Sequence, residues 1–144
     1  MRNLLSIFTL VFILLNSTAS WGEVDEKGLI CQCEKCDIYH LERGYWFEDG
    51  KVKPRLFGEQ KDKVTTFERP GLLFTTTSDE ILWWETFEFK LDRETLTLDT
   101  FSQGELKTRS NCEVFDKEGF QKTWDILSRV HQISLNQKLT KNKI

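Results

Sequence analysis

Proline and glycine are scarce in this chain of 144 residues, with 2 and 8 copies, and methionine occurs once. So few breakers exclude collagen-like or linker-dominated architecture. Basic surplus is missing too: 20 Lys and Arg stand against 23 Asp and Glu, a formal charge of −3. A dedicated nucleic-acid binder wants a basic stripe or excess, so none is expected here. Histidine is confined to His40 and His131. No G-x-S-x-G, Walker A, H-E-x-x-H or G-x-G-x-x-G pattern occurs, which leaves no catalytic constellation and no cofactor motif to build on.

Long apolar runs are absent with one exception. Residues 4–15 (LLSIFTLVFILL) follow Arg2 and lead into the small residues Asn16-Ser17-Thr18-Ala19-Ser20. A short positive region, an apolar run and a small-residue site make a secretory signal peptide, with cleavage expected after Ala19 or Ser20. The run falls short of the about 20 apolar residues that span a bilayer, although an uncleaved anchor is the rival reading. Bulky Leu29 and Ile30 before Cys31 do not fit a lipoprotein site. The expectation is a leader at 1–20 and a single exported, periplasmic or secreted domain at 21–144. No further segment of that domain is apolar over enough length to cross a membrane.

What is abundant is aromatic: 11 Phe and 5 Trp in a chain that is 39% hydrophobic, a composition that orders and fills a core. From Leu29 to Val114 the pattern reads as strand after strand. Tyr45-Trp46-Phe47-Glu48 enters Asp49-Gly50 and leaves through Lys51-Val52-Lys53, the signature of a type I′ hairpin, because both central residues tolerate positive φ. Pro54 on the returning strand suggests a sheet edge, since proline gives no ladder donor. Residues 64–68 and 72–77 read as strands joined by Arg69-Pro70-Gly71, a type II turn by its Pro-Gly pair. The strongest candidate is a single strand at 81–91 (ILWWETFEFKL). Its alternation puts Ile81, Trp83, Glu85, Phe87, Phe89 and Leu91 on one face. A four-residue connection, Asp92 to Thr95, would pair Leu91 with Leu96 and Phe89 with Leu98. It would also set Glu88 against Asp99, tolerable only where that face is wet. Leu106, Thr108, Ser110, Cys112 and Val114 share a side of the last strand.

The period then changes. Phe120, Trp124 and Leu127, widened by Ile126, Val130 and Ile133, gather on one side at about 100° per residue. Asp116 is a good N-cap, and Phe115 and Phe120 have the spacing of a hydrophobic staple. A helix at about 117–137 follows. The expected fold is a β-rich α+β domain: an antiparallel, curled or barrel-like sheet of about seven to eight strands with one C-terminal amphipathic helix.

Cys31, Cys33 and Cys36 cluster as C-x-C-x-x-C, and Cys112 stands alone. An even count in an exported chain reads first as a disulfide framework, with three possible connectivities. An inward Cys112 on the last strand favours Cys31–Cys112, leaving Cys33–Cys36. A redox pair at Cys33 and Cys36 is the alternative, although no βαβ rhythm surrounds it. A zinc site on all four thiolates is a third, against which only one C-x-x-C pair is present. Beyond cysteine no metal ligands are expected.

Trp83, Trp84 and Glu85 form a possible ligand surface. Successive tryptophans give one indole to each face, and Glu85 is the one carboxylate on the apolar face of its strand, a pocket acid or an arginine partner at a rim. His131 reads as a boundary residue packing its ring. His40 would need a free thiol nearby to work as a base.

With these segments in view, the chain resembles a group of small exported bacterial proteins of unassigned function. The carrying phrases are Gly28-Leu29-Ile30-Cys31, Gly44 to Val52 (GYWFEDGKV), Leu91 to Leu96 (LDRETL) and Asn111-Cys112-Glu113-Val114-Phe115. The likeness implies a signal peptide, strand hairpins and a terminal helix, and it supplies no catalytic residue. Lysozyme-inhibitor-like and lipocalin-like modules share the general style, an analogy of fold that does not fix function. The expected role is a non-catalytic β-domain that binds a protein partner or a small ligand, with oligomeric state left open.

Overall fold

The computed structural model describes residues 24–33 and 42–142. Among the described residues nine strands, β1 (Lys27–Cys33), β2 (Glu42–Glu48), β3 (Lys51–Gln60), β4 (Lys63–Glu68), β5 (Leu72–Thr76), β6 (Glu80–Trp84), β7 (Glu88–Asp92), β8 (Thr97–Ser102) and β9 (Glu105–Phe115), precede one helix, α1 (Lys117–Lys141). Every pairing is antiparallel. The order runs β2-β1-β9-β8-β7-β6-β5-β3, and the β2–β3 pairing closes it into an eight-stranded barrel. The barrel and the terminal helix are those expected. Closure leaves the eight barrel strands no open edge.

Tight turns set the registers. Asp49 and Gly50 take φ of 52° and 67°, the type I′ geometry that the sequence predicts, and Glu48 faces Lys51 across it. Gln103 and Gly104 do the same between β8 and β9, at 52° and 78°. Lys61 and Asp62 form a third such turn at 50° and 62°, without a glycine.

Two proline expectations are corrected. Pro54 lies on an interior strand, because β3 pairs with β2 on one side and with β4 and β5 on the other. The missing donor is harmless because Pro54 O accepts from Arg69 N (2.9 Å), so its ring nitrogen faces the same irregular stretch of the ladder. At Pro70-Gly71 the chain does not reverse, and Gly71 has no positive φ. Instead β4 and β5 both run along β3. From Arg55↔Glu68 to Val52↔Leu72, three steps on β3 meet four on its neighbour, the one-residue excess of a β-bulge.

The strand expected at 81–91 is a hairpin. β6 and β7 pair Ile81 with Leu91 and Trp83 with Phe89, around the turn 85–87. A loop of three residues preserves parity: odd positions face the barrel before it and after it. Alternation therefore looks identical for a hairpin and for a continuous strand. Glu85 and Phe87 belong to the turn, not to an inner face. The β7–β8 register also slips by two residues from expectation, to Leu91↔Leu98 and Phe89↔Thr100. A slip of two keeps every side chain on its face. It sets Lys90 opposite Asp99, so the expected Glu88–Asp99 opposition is avoided. The longer connection is held by Asp92 Oδ1, which accepts from Glu94 N (2.9 Å) and Thr95 N (2.8 Å). On β9 a further bulge pairs Leu106 with outward Phe101, so Leu106 is exposed rather than inward.

Two apolar layers result. Inside the barrel, Tyr45, Phe47, Val52, Phe74, Ile81, Trp83, Phe89, Leu91 and Leu98 fill the space. Outside it, α1 lays Phe120 and Trp124 on Ile30, Trp46 and Phe57. Asp116 caps the helix by accepting from Gly119 N (2.7 Å), and Phe115 packs beside Phe120 as the staple requires. The helix runs to Lys141, past the expected 137, with Lys138 and Lys141 favourably placed in its last turn. Ile126, Val130 and Ile133 do not widen the buried stripe; they are 49%, 55% and 59% exposed. Trp124 Nε1 donates to Thr66 Oγ1 (3.0 Å), and Val64 N donates to Gln132 Oε1 (2.8 Å). These bonds lock the β3–β4 hairpin to the helix.

Cys31 and Cys112 are Cα partners on β1 and β9 and form a disulfide, as their inward positions suggested. Cys33 is disulfide-bonded as well. The expected Cys33–Cys36 pairing involves a residue outside those described, as do the leader at 1–20 and His40. Among the described residues, no helix is long and apolar enough to cross a membrane.

Candidate ligand site at the barrel mouth

A cleft of about 940 Å³ opens at one end of the barrel, between the strand ends and the C-terminal half of α1. Its inner wall is apolar. Tyr45 and Phe89 point up from the barrel interior with ring centroids 6.2 Å apart, and Leu56 and Phe57 come from β3. Phe57 stacks on Trp124 (4.1 Å between centroids, planes 10° apart) and lies 4.7 Å from the His131 ring. The β6–β7 turn contributes Glu85, Thr86 and Phe87, and the helix contributes Val130, His131 and Leu135.

Charge is arranged in pairs around this wall. Arg69, from the β-bulge after β4, forms an ion pair with Glu85. His131 Nε2 meets Glu42 Oε2 at 2.7 Å, joining the helix to the start of β2. Burial pushes the Tyr45 phenol above its ordinary pKa, with a smaller contribution from Glu85, while the Arg43 guanidinium nearby and its hydrogen bond to the phenol oxygen pull the other way. Tyr45 is therefore neutral at physiological pH and keeps an O–H to donate. The arrangement suits an amphipathic guest, with rings to cover apolar surface and polar groups near the rim to orient it.

The three residues singled out in the sequence are separated. Trp83 is fully buried, parallel to Phe89 at 5.4 Å between centroids and packed on Tyr45 and Phe47. Among the described residues its indole N–H has no hydrogen-bond partner. Trp84 points outward and is half-exposed. Glu85 alone reaches the cleft, paired with an arginine as the rim alternative anticipates. His131 sits at a boundary with its ring packed, as read. Sequence pattern alone does not mark Arg43, Tyr45, Phe57 and Arg69 as cleft residues; the turn around Glu85 points to them only when 81–91 is read as a hairpin.

Of the four cysteines, Cys31, Cys33 and Cys112 are buried. With Cys31 and Cys112 bonded, two of the thiolates that a four-cysteine zinc site needs are consumed. Among the described residues, no group of three or more His, Cys, Asp or Glu is placed to hold a metal ion. Comparison with protein-family models, with curated proteins and with solved structures returns no match for this chain.

Proposed function

We propose that this chain is an exported, non-catalytic β-barrel domain that takes an amphipathic small ligand into the cleft at its mouth. The cleft carries the reading: its volume of about 940 Å³ lies within the range of small-molecule sites, and its apolar wall with a few convergent polar groups has their usual make-up. Export rests on the leader at 1–20 and agrees with a disulfide between the first and last strands, since such bonds persist in oxidising compartments. It is also what the likeness to small exported bacterial proteins implies. The thiol alternative is weaker, because Cys33, one of its two sulfurs, is buried, whereas a reactive thiol wants a partly exposed, electropositive setting.

Anilinonaphthalene sulfonate, an aromatic anion, is a suitable probe. Titration into the folded protein should give a saturable fluorescence rise. Phe87→Asp, a change in the turn at the rim, should weaken binding about tenfold, whereas Trp84→Ala on the outer face should leave it unchanged. An unsaturable response, or one indifferent to Phe87→Asp, would remove the cleft as the site. Turnover of a substrate in a broad hydrolase panel would defeat the non-catalytic part.

A further inference from the structure

We propose that the outer face of α1 is a docking surface for an anionic lipid membrane, a role separate from the mouth cleft, which it borders only at Val130. Ile126, Val130 and Ile133 recur at i, i+4 and i+7, so they share one side of the helix, and all three are exposed. The same rotation brings Lys122, Arg129 and Lys141 to that side, each of them exposed. The opposite side is occupied by Phe120 and Trp124 against the barrel. The helix therefore lies along the barrel with this mixed face turned outward.

Charge separates the possible occupants. The helix carries five basic residues, Lys117, Lys122, Arg129, Lys138 and Lys141, against two acidic ones, Glu118 and Asp125, in a chain whose formal charge is −3. Positive charge is thus concentrated on the element with the unpartnered apolar stripe. A second copy of the chain would bring like charges face to face around that stripe, which is unfavourable. An anionic surface is complementary.

The shape of the stripe narrows the choice further. Protein hot spots centre on aromatic or arginine anchors that fill pockets. Here three aliphatic side chains lie in a shallow row. Beside them runs an open groove lined by Lys117, Glu118, Lys122, Asp125, Ile126 and Arg129, with Asp125 engaged by Gln121 Nε2 (2.8 Å). Such a face can settle at the headgroup level, aliphatic groups downward, with lysine and arginine stems reaching sideways to phosphates. The attraction to anionic lipid acts over about a Debye length and is screened by salt.

The test is co-sedimentation of the full chain with vesicles of phosphatidylcholine and phosphatidylglycerol, against vesicles of phosphatidylcholine alone. Methyl NMR with a paramagnetic lipid in the vesicles then localises the contact. Binding should require the anionic lipid and weaken as salt rises. The Ile126, Val130 and Ile133 methyl signals should broaden ahead of the core methyls, which separates this face from any contribution of residues 4–15. Lys122→Ala with Arg129→Ala should lower the partition coefficient roughly thirtyfold, and Lys122→Arg with Arg129→Lys should restore it. Ile126→Ser with Ile133→Ser should lower it about tenfold or more; Val130, shared with the cleft, is left in place. These exposed changes should leave the circular dichroism spectrum unaltered. Equal partition into both vesicles, no partition, or broadening elsewhere would overturn the proposal. So would a dimer in sedimentation equilibrium that Ile133→Asp dissociates.

Discussion

Gly28 on β1 lies directly beneath Phe120 of α1: a Cβ placed on Gly28 would fall 2.3 Å from Phe120 Cδ2 and 2.6 Å from its Cγ. Gly44, its counterpart on β2, stands in the same relation to Trp124, at 2.8 Å from Cζ3. Two strands give up their outward side chains so that two helix rings can rest on the sheet. Gly28→Ala should therefore destabilise the fold by about 2 kcal/mol, although alanine is otherwise the better strand residue by up to about 1 kcal/mol. In a Phe120→Ala background most of that cost should disappear, because the two closest contacts are with the ring and only the Phe120 Cβ, at 3.0 Å, remains. Urea midpoints of the four proteins in this cycle provide the check.

The β3–β4 turn carries more strain than the other two type I′ turns, which place glycine (Gly50, Gly104) at their second position. Lys61 and Asp62 both adopt positive φ, where a side chain costs energy and glycine does not. Lys61→Asn with Asp62→Gly should raise stability by about 1 kcal/mol. The hairpin stays fixed to the helix through the Asp62 carbonyl, which accepts from Gln132 Nε2 (3.1 Å), an interaction independent of the side chain at 62. A higher melting midpoint, with unchanged exchange protection at Val64, is the expected result.

These two sites show where sequence reasoning succeeds and where it stops. The change of period after Phe115, the Asp116 cap and the Asp49-Gly50 turn are local signals, and the structure follows them. A three-residue loop after Trp84 is invisible to alternation because it returns the chain in phase. The bulge near Lys107 shifts faces by one residue with no compositional mark, and the one at Arg69–Gly71 is marked by a Pro-Gly pair that reads equally well as a turn. Gly28 and Gly44 read as weak strand residues until the helix arrives above them. The cleft is harder still: Arg43, Arg69, Glu85 and His131 are widely spaced in sequence, and only barrel closure gathers them.

The disulfide ties the first barrel strand to the last. Cys31 and Cys112 are 81 residues apart, and closing a loop of that length in the unfolded chain corresponds to about 4.5 kcal/mol on the chain-entropy model. Replacing both with serine should lower unfolding stability by about that amount, measured by urea denaturation. Part of the loss would come from placing two hydroxyls where the sulfurs are buried. Replacing both with alanine and valine separates the terms, since it removes the cross-link without adding polar groups. If the two double variants differ by less than about 1 kcal/mol, the constraint on the unfolded chain is the larger contribution.

Tyr45 makes the barrel sensitive to alkali. Burial holds its phenol pKa above the ordinary value of 10.0, against the opposing pull of Arg43. In the unfolded chain the phenol ionises near pH 10, while in the folded protein it keeps its proton to higher pH. The folded state thus binds more protons in that window, and linkage makes stability fall as pH rises through it; below the unfolded pKa the contribution is fully present. Lys53 and Lys90 act in the same direction through their ion pairs with Glu48 and Glu80, but these pairs are exposed and salt screens them. Titration at high ionic strength should therefore show one of the two tyrosines ionising only as the fold opens, with tyrosinate absorbance and far-ultraviolet circular dichroism moving together. Tyr45→Phe should abolish that coupled step and carry the alkaline transition to higher pH. At neutral pH the same variant should lose about 1–2 kcal/mol, because the Arg43 guanidinium gives up its phenol acceptor. A tyrosinate signal that rises in two steps well before unfolding in the parent protein would show that Tyr45 ionises inside the intact barrel, and the alkaline sensitivity would then have another source.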